Sequence, residues 1–555
     1  MTKRKVTTRW IIPLLCRRML QKGITNWAFR LGWMVLGCMP FVVHAQSFQI
    51  PRQGAYMHAF ENYAYKEGRI HTSTLPFQIN DFPKAIYDSL DSLQGFPKAW
   101  DKKLNWLVNQ HFIERNHQHS QVLIDPIFEL STSIGRGNGQ RQYNYSIAGG
   151  LDLKATVKNK VYIDLQGALF QGKYPLYIRQ HIQNDSVIPG LGYAYGSNAS
   201  AYTYNWSGQV SYKPVSYFTA SIGNGKHFIG DGYRSLLLSY NANNYNYLKL
   251  DVNFWKIRYW VLYTRMLDVS GSGGRMGKFA SKFATIHYLD LLVGKHTSLG
   301  LFEAVVWENK NQDGSARGFD IQYLNPFIFF RPVEYSLGSP DNALLGANMR
   351  IRFLKRQVFY VQILLDEFFL KEVRAWNGWW ANKQGFQVGL KGYDLAGIKG
   401  LFYQGEINYV RPYTYTHYQI QQNYAHFGQP LAHPLGANFI EGLGKLAYQT
   451  QQHAIEGKLI YAIFGTDSGS VNYGSNVYKP YTSRPYEYGN KVGQGIRNKM
   501  MYLELSYSYL INRKWNLRVE VNLAMRANSN PIQYTKETYF GLGIKSGLPL
   551  RYTDF

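Results

Sequence analysis

From about Val122 the chain alternates apolar and polar residues with a period of two, hairpin after hairpin. That pattern dictates strands with two unlike faces. Tyr143, Tyr145, Ile147, Gly149, Leu151, Leu153, Ala155 and Val157 share one face, while Asn144, Ser146, Asp152, Lys154 and Thr156 share the other. After the turn Lys158-Asn159-Lys160, Val161, Ile163, Leu165, Gly167 and Leu169 resume the alternation. Near the C-terminus, Met501, Leu503, Leu505, Tyr507 and Tyr509 lead across 511–514 into Trp515, Leu517, Val519, Val521 and Leu523. A third copy runs from Ala347 to Phe353, turns at 355–357 and returns from Phe359 to Leu365.

A soluble β-sandwich also alternates, so the environment of the apolar face has to be argued. These faces persist over about nine residues, the length that crosses a bilayer at barrel tilt. Aromatic residues crowd the strand ends, as an interfacial girdle requires. The polar faces carry both signs of charge (Asp152 with Lys154, Arg518 with Glu520), which a thin sandwich cannot bury but a lumen can pair or hydrate. The reading is an all-β, antiparallel transmembrane outer-membrane barrel over 121–555. At about 10 membrane residues per strand, the length accommodates roughly 16–20 strands, and an even count selects 16 or 18. Short turns alternate with long polar segments at 180–202, 266–281 and 465–495, the pattern of periplasmic turns against external loops. No run of about 20 apolar residues exists for a spanning helix, and the mean hydropathy is −0.32.

The first 45 residues read as an export signal. They hold eight Lys or Arg and no acid, then an apolar stretch from Leu31 to Val43 and a cleavage site after Ala45. The basic region is long enough that Met19 competes with Met1 as the start, and Leu36-Gly37-Cys38 faintly resembles a lipoprotein box. Both cysteines, Cys16 and Cys38, fall in this segment; its removal excludes disulfide and thiol chemistry from the remainder. It also leaves 53 basic and 35 acidic residues, a net charge of +18. In an exported protein that excess faces anionic lipopolysaccharide, lipid headgroups or acidic glycan, not nucleic acid. Residues 46–120 read as a periplasmic or plugging element. Gln46 to Thr74 is expected to be irregular or briefly extended, with helices at Asp81–Leu93 and from Pro97 to about Arg115.

No nucleophile elbow, zinc helix, phosphate loop or dinucleotide fingerprint is present. We expect no catalytic residue, metal or cofactor. The linker pair His117 and His119 reads as solvated. Asp366 and Glu367 are adjacent on a strand and should face opposite ways, so ionic pairing of Asp366 with Arg350 or Arg352 is expected. Inward positions Arg350, Arg352, Asp366, Glu406, Arg518 and Glu520 suggest a lumen stitched by charge pairs around a plug.

One segment is too organised for an ordinary loop. Residues 221–244 place four glycines within ten residues, followed by Ser235 to Leu238 and an asparagine-rich end. Lys226 and Arg234 suit anionic groups, and Asn241 and Asn243 suit sugar hydroxyls. An inward-folded loop held by its own hydrogen bonds is the other reading.

The G-x-G-K-x-x-x-G-D-G-x-x-S-L-x-L-S-x-N-A pattern of 223–242 resembles the signature of the Wzi capsule-assembly outer-membrane family, above all its gliding-motility, RemB-like branch. Agreement continues in Leu324-Asn325-Pro326, Asp341-Asn342, Gly346-Ala347-Asn348, Tyr360 to Glu367, Glu406 to Tyr415 and His433 to Asn438. Arg411, Tyr413 and Tyr415 join the candidate ligand residues from this stretch. The resemblance implies an 18-stranded barrel with helices blocking its periplasmic end, surface polysaccharide as partner, and a link to surface motility. The terminal Phe555 resembles the aromatic that barrel-assembly machinery recognises. The expected function is non-enzymatic binding or anchoring of surface polysaccharide; the alternatives are a channel for small anionic solutes or a secretion or adhesin partner.

Overall fold

The computed structural model describes residues 49–50, 54–83, 105–117, 119–197, 200–311, 313–328, 341–367 and 369–555. The export segment, most of the helix expected at Asp81–Leu93 and the start of the one expected at Pro97 lie outside these residues.

Eighteen antiparallel strands close into a barrel. They are β1 (Ser120–Gly137), β2 (Gln140–Val157), β3 (Val161–Lys173), β4 (Ser200–Val215), β5 (Phe218–Gly225) and β6 (Tyr245–Phe254). Then come β7 (Ile257–Asp268), β8 (Ala280–Val293), β9 (Thr297–Glu308), β10 (Asn342–Phe353), β11 (Gln357–Glu367) and β12 (Lys383–Tyr393). The last six are β13 (Leu401–Val410), β14 (Phe439–Gln449), β15 (His453–Thr466), β16 (Ile496–Asn512), β17 (Leu517–Ser529) and β18 (Tyr534–Ser546). Each strand pairs with its sequence neighbour, and β18 meets β1 at the seam, with Glu537 opposite Gly137 and Ser546 opposite Phe128.

The alternation is inverted relative to a soluble protein. On β2, Tyr143, Tyr145, Ile147 and Leu151 are exposed, while Asn144, Ala148 and Thr156 are buried. On β10 and β11, Asn348, Arg350, Tyr360, Gln362 and Asp366 are buried in the lumen. An apolar skin over a polar interior is stable only where the outer solvent is hydrocarbon. No described helix is long and apolar enough to cross a membrane.

Connections sort by end. At one end they are short: 158–160, 216–217, 255–256, 294–296, 354–356, 394–400, 450–452 and 513–516. The other, the loop end, carries 174–199, 226–244, 269–279, 309–341, 368–382, 411–438 and 467–495, with two short hairpins at 138–139 and 530–533. Two turns sit one or two residues from their expected places, because β10 and β16 end at Phe353 and Asn512.

The N-terminal segment differs most from expectation. Helix α1 (Gly54–Glu67) occupies what reads as irregular sequence. It has no Ser, Thr, Asp or Asn cap to announce it, but Met57, Phe60 and Ala64 recur at helical spacing and are buried. Among the described residues, the helix expected to reach Arg115 ends at Asn109, and Ile113–His117 is instead a short strand against the start of β1. A second helix, α2 (Leu176–Asp185), lies in the loop after β3.

The interior is filled from both ends. The 226–244 loop folds inward, and Leu236, Leu237 and Leu238 pack on Leu344, Leu364, Tyr415, Tyr424 and Leu431 to form an apolar core inside the barrel. From the turn end, α1 and residues 70–82 bring Phe60, Leu75, Phe77 and Phe82 against Phe228, Tyr240 and Tyr552. The two insertions join: Thr74–Leu75 pairs as a strand with Phe228–Ile229. Of the two readings of 221–244, the inward-folded loop is the one the structure has.

Candidate functional site

The lumen is held by ion pairs between residues far apart in sequence. Within the plug, Glu61 meets Lys391 at 3.4 Å, Asp81 meets Arg258 at 3.0 Å, and His71 Nδ1 lies 2.6 Å from Asp290. The Tyr65 hydroxyl and the Thr72 hydroxyl both donate to Asp231 on the inward loop, at 2.7 and 2.6 Å. Gly230 is glycine for a steric reason: its φ is +120°, and a Cβ there would sit 2.1 Å from Gln362 Nε2.

At mid-lumen, Arg234 is 0% exposed. Its guanidinium reaches Glu441 at 3.3 Å and Asp554 at 3.0 Å, between the rings of Tyr233 and Tyr552. Lys458 bridges Asp554 at 2.8 Å and Glu504 at 2.9 Å. Glu406 accepts the backbone N–H of Tyr233 and Arg234 and the Tyr360 hydroxyl. Burial alone would raise the Asp554 carboxyl, but Arg234 and Lys458 beside it hold it well below the usual carboxylate range. Burial likewise lowers His433, against the pull of Glu441 at 2.8 Å.

These contacts place the expected residues plainly. Lys226 donates to the carbonyls of Gly190 and Tyr240, at 2.7 and 3.3 Å, and burial with Arg551 nearby depresses it to about 7. Asn241 donates to the Pro430 carbonyl and Asn243 accepts from Asn205. Arg411 donates to the carbonyls of Asn382 and Trp379, while Tyr413 and Tyr415 are fully buried. The structure brings Arg234 and Glu406 together but not Arg350 and Asp366. Arg350 donates to Thr72 at 2.5 Å and covers the Tyr65 ring, and Arg352 donates to the Lys66 carbonyl. Asp366 sits toward the loop end of β11 and pairs with Lys383 instead, because the register sets Arg350 opposite Tyr360, several rungs away. Glu367 also reaches Lys383, at 3.3 Å, since a bulge between Leu365 and Glu367 breaks the strict alternation expected there. Arg518 pairs with Glu520, joined by Lys545, and Asp152 with Lys154.

Above the filled lumen, the loop end carries an aromatic platform that sequence reasoning missed. Trp380 packs at a tilt against Tyr481, with ring centroids 4.6 Å apart, and lies beside Trp379 at 6.2 Å, with Tyr413 edge-on behind it. The Arg484 guanidinium covers Trp380 at 3.9 Å, and Tyr418 and His417 extend the cluster. Burial lowers His417 to about 3, so its ring is neutral. Trp379, Trp380, Tyr481 and Arg484 are half-buried, and around them Phe369, Tyr486, Tyr488 and Trp376, the last 92% exposed, face solvent. Three loops separated by up to about a hundred residues build this patch, so only the aromatic density of 376–380 and 478–488 hinted at it. Among the described residues no group of three His, Cys, Asp or Glu is placed to hold a metal.

The sequence matches no family model and none of the curated proteins. Among solved structures the chain is similar to Wzi of Escherichia coli, described as an outer-membrane carbohydrate-binding β-barrel involved in group 1 capsule assembly; identity is 14%, the match covers 91% of this chain and 100% of that one, and the TM-score is 0.53. OprD of Pseudomonas aeruginosa matches at 10% identity over 78% of this chain and 94% of its own, with a TM-score of 0.40. OccAB2 of Acinetobacter baumannii matches at 10% identity over 76% and 97%, with a TM-score of 0.43. The fold is therefore that of an outer-membrane barrel, shared with Wzi along nearly the whole chain.

Proposed function

We propose that this barrel, exported to the outer membrane by its first 45 residues, binds or anchors a surface polysaccharide at its loop end, as a non-enzymatic part of capsule attachment or gliding motility. The observation that carries the reading is the platform of Trp379, Trp380, Tyr481 and Arg484 seated on a lumen filled with buried side chains. Half-buried tryptophan and tyrosine rings offer flat apolar faces to the C–H faces of sugar rings, and their polar edges and the guanidinium serve hydroxyls and acidic groups. Arg411 and Tyr413 act in this reading as supports, holding the Trp379 backbone and the Trp380 ring; Tyr415, Lys226, Arg234, Asn241 and Asn243 belong to the scaffold beneath. The fold shared with a carbohydrate-binding barrel supports the assignment.

A channel for small anionic solutes is the competing reading, favoured by the basic excess. Planar-bilayer conductance separates the two: a binder with a filled lumen passes almost no current. Trp380→Ala with Arg484→Ala should weaken binding of the producing cell's surface glycan at least tenfold while the barrel stays folded. Steady conductance together with no glycan retained by the purified protein would sink the proposal.

A further inference from the structure

One sector of the wall differs from the rest at the upper margin of its apolar skin. Arg497 and Lys499 on β16, Lys536 on β18, Arg136 on β1 and Arg141 on β2 are all exposed, and strand parity points each of them outward, toward lipid. Lys173 on β3 continues the series on the same face, opposite Tyr145. The register fixes their height. Arg136 and Arg141 are direct cross-strand partners, one outward step above the pair Ile134 and Tyr143. Thr538 is opposite Arg136, placing Lys536 one step beyond it, and Lys499 stands one step beyond Met501. Below them the same faces are apolar: Leu130, Ile134, Ile147, Leu151, Phe540, Leu542, Met501 and Leu505.

Two features make this collar more than scattered surface charge. Like charges directly opposite on neighbouring strands repel, more so beside hydrocarbon, yet among the described residues no ion pair relieves any of the six. The rim is also low here. The two loop-end hairpins at its centre, 138–139 and 530–533, are the short ones, so Arg136, Arg141 and Lys536 have no long loop above them, while the long connections 174–199 and 467–495 join only its flanks, at Lys173 and next to Arg497. The long side chains are free to reach into the headgroup layer.

We propose that this collar is a binding site for a phosphorylated glycolipid headgroup of the outer leaflet, its acyl chains lying down the apolar faces of β16–β18 and β1–β2. Arg136 and Arg141 clamp one phosphate between them, in the forked geometry guanidinium groups favour; Lys536 and Lys499 take the second. The site rests on the membrane-barrel fold and uses none of the glycan platform's residues, although the 467–495 loop that carries Tyr481 and Arg484 leads into β16 just before Arg497.

The test uses the full mature barrel in detergent, titrated with lipid A and followed by native mass spectrometry. Lipid A with its phosphates should bind at least tenfold more tightly than the dephosphorylated lipid. The Arg136→Glu, Arg141→Glu, Lys536→Glu variant should lose at least tenfold, and Arg265→Glu, an exposed outward position on β7, should lose nothing. Should the triple variant fail to run as a folded, heat-modifiable barrel, Arg136→Gln with Arg141→Gln replaces it, with the same loss expected. Equal binding of the dephosphorylated lipid, full affinity in a folded collar variant, or complete displacement by millimolar inorganic phosphate overturns the proposal.

Discussion

The walls β1–β3 and β7–β9 treat their membrane side in opposite ways. On β1–β3 the outward residues are bare: Leu130, Ile134, Ile147, Leu151, Leu165 and Leu169 are exposed, as hydrocarbon requires. On β7–β9 the outward positions of the middle rungs are buried and partly polar, although Arg265 beyond them and Leu291, Leu299 and Leu301 below them are exposed. Tyr263, Thr285 and Val305 form one rung, and Val261, His287 and Glu303 the next. A strap from the loop after β9 covers them. Phe319 and Tyr323 pack on Trp307 at 5.1 and 4.7 Å, the Tyr263 hydroxyl donates to the Leu324 carbonyl, and Thr285 donates to the Tyr323 carbonyl. The Tyr259 hydroxyl bonds both His287 and the Pro326 carbonyl at 2.5 Å. The strap then offers its own Ile321 and Phe327 to the outside. A polar patch at bilayer depth is tolerable when protein covers it; the bare wall has no such licence.

The comparison can be broken most severely at the strap's anchor. Tyr323 is fully buried, so Tyr323→Ala should cost about 3–5 kcal/mol, measured as the urea midpoint of the folded, heat-modifiable band, whereas truncating bare-wall Leu165 should barely move it. A loss equal at both sites would erase the distinction. Next, Leu169→Arg on the bare wall should cost about 2–4 kcal/mol, since nothing covers the new charge; a neutral result would mean that wall is not in hydrocarbon.

Acid should separate the fillings from the walls. Burial, with Lys445 nearby, lowers His58 of α1 to about 4, and burial lowers His426 to about 3. The His426 ring is held neutral, Nδ1 accepting from Leu267 N–H and Nε2 facing the Asn244 carbonyl. Both groups are depressed, so their contribution is whole above about pH 6.5 and is lost as pH falls toward 4 and 3. Hydrogen exchange between pH 7 and 4, corrected for intrinsic rates, should show 54–67 and 425–431 loosening while the β1–β3 ladder holds; uniform loosening would contradict the assignment. The smallest effect sharpens the strap itself. A spin label at Ile321→Cys, 78% exposed, should be relaxed by lipid-soluble oxygen more than by an aqueous nickel complex, with less than about 1 kcal/mol change in stability. The reverse ranking would place the strap in water.

The same contrast explains what the sequence could tell. Period two identifies a strand and its two faces, and on β1–β3 each face meets the solvent its residues ask for, so the hairpins and the inverted burial were legible; strand length narrowed the count to 16 or 18, and only the family resemblance pointed to the eighteen found. On β7–β9 the alternation is blurred, because the strap supplies apolar cover from residues 319–326 and lets Thr285, His287 and Glu303 stand outward. Helix α1 escaped because its helicity comes from packing on barrel side chains, not from caps. The Asp366–Lys383 pair was missed for a register reason and a bulge, neither visible along one strand. The platform was invisible for a plainer cause: Trp380, Tyr481 and Tyr418 become neighbours only once three loops converge.

The C-terminal tail constrains how such a molecule can be made. β18 ends at Ser546, yet the chain continues inside the barrel, where Asp554 lies between Arg234 and Lys458, Phe555 rests against Tyr177 and His181, and its carbonyl accepts from Arg526. Residues 547–555 are thus part of the contents, while the strand just before them is half of the closing seam. Filling and closure are therefore coupled in one stretch of chain: the β18–β1 seam encloses a lumen that the residues following β18 help to fill, together with the segment that precedes β1.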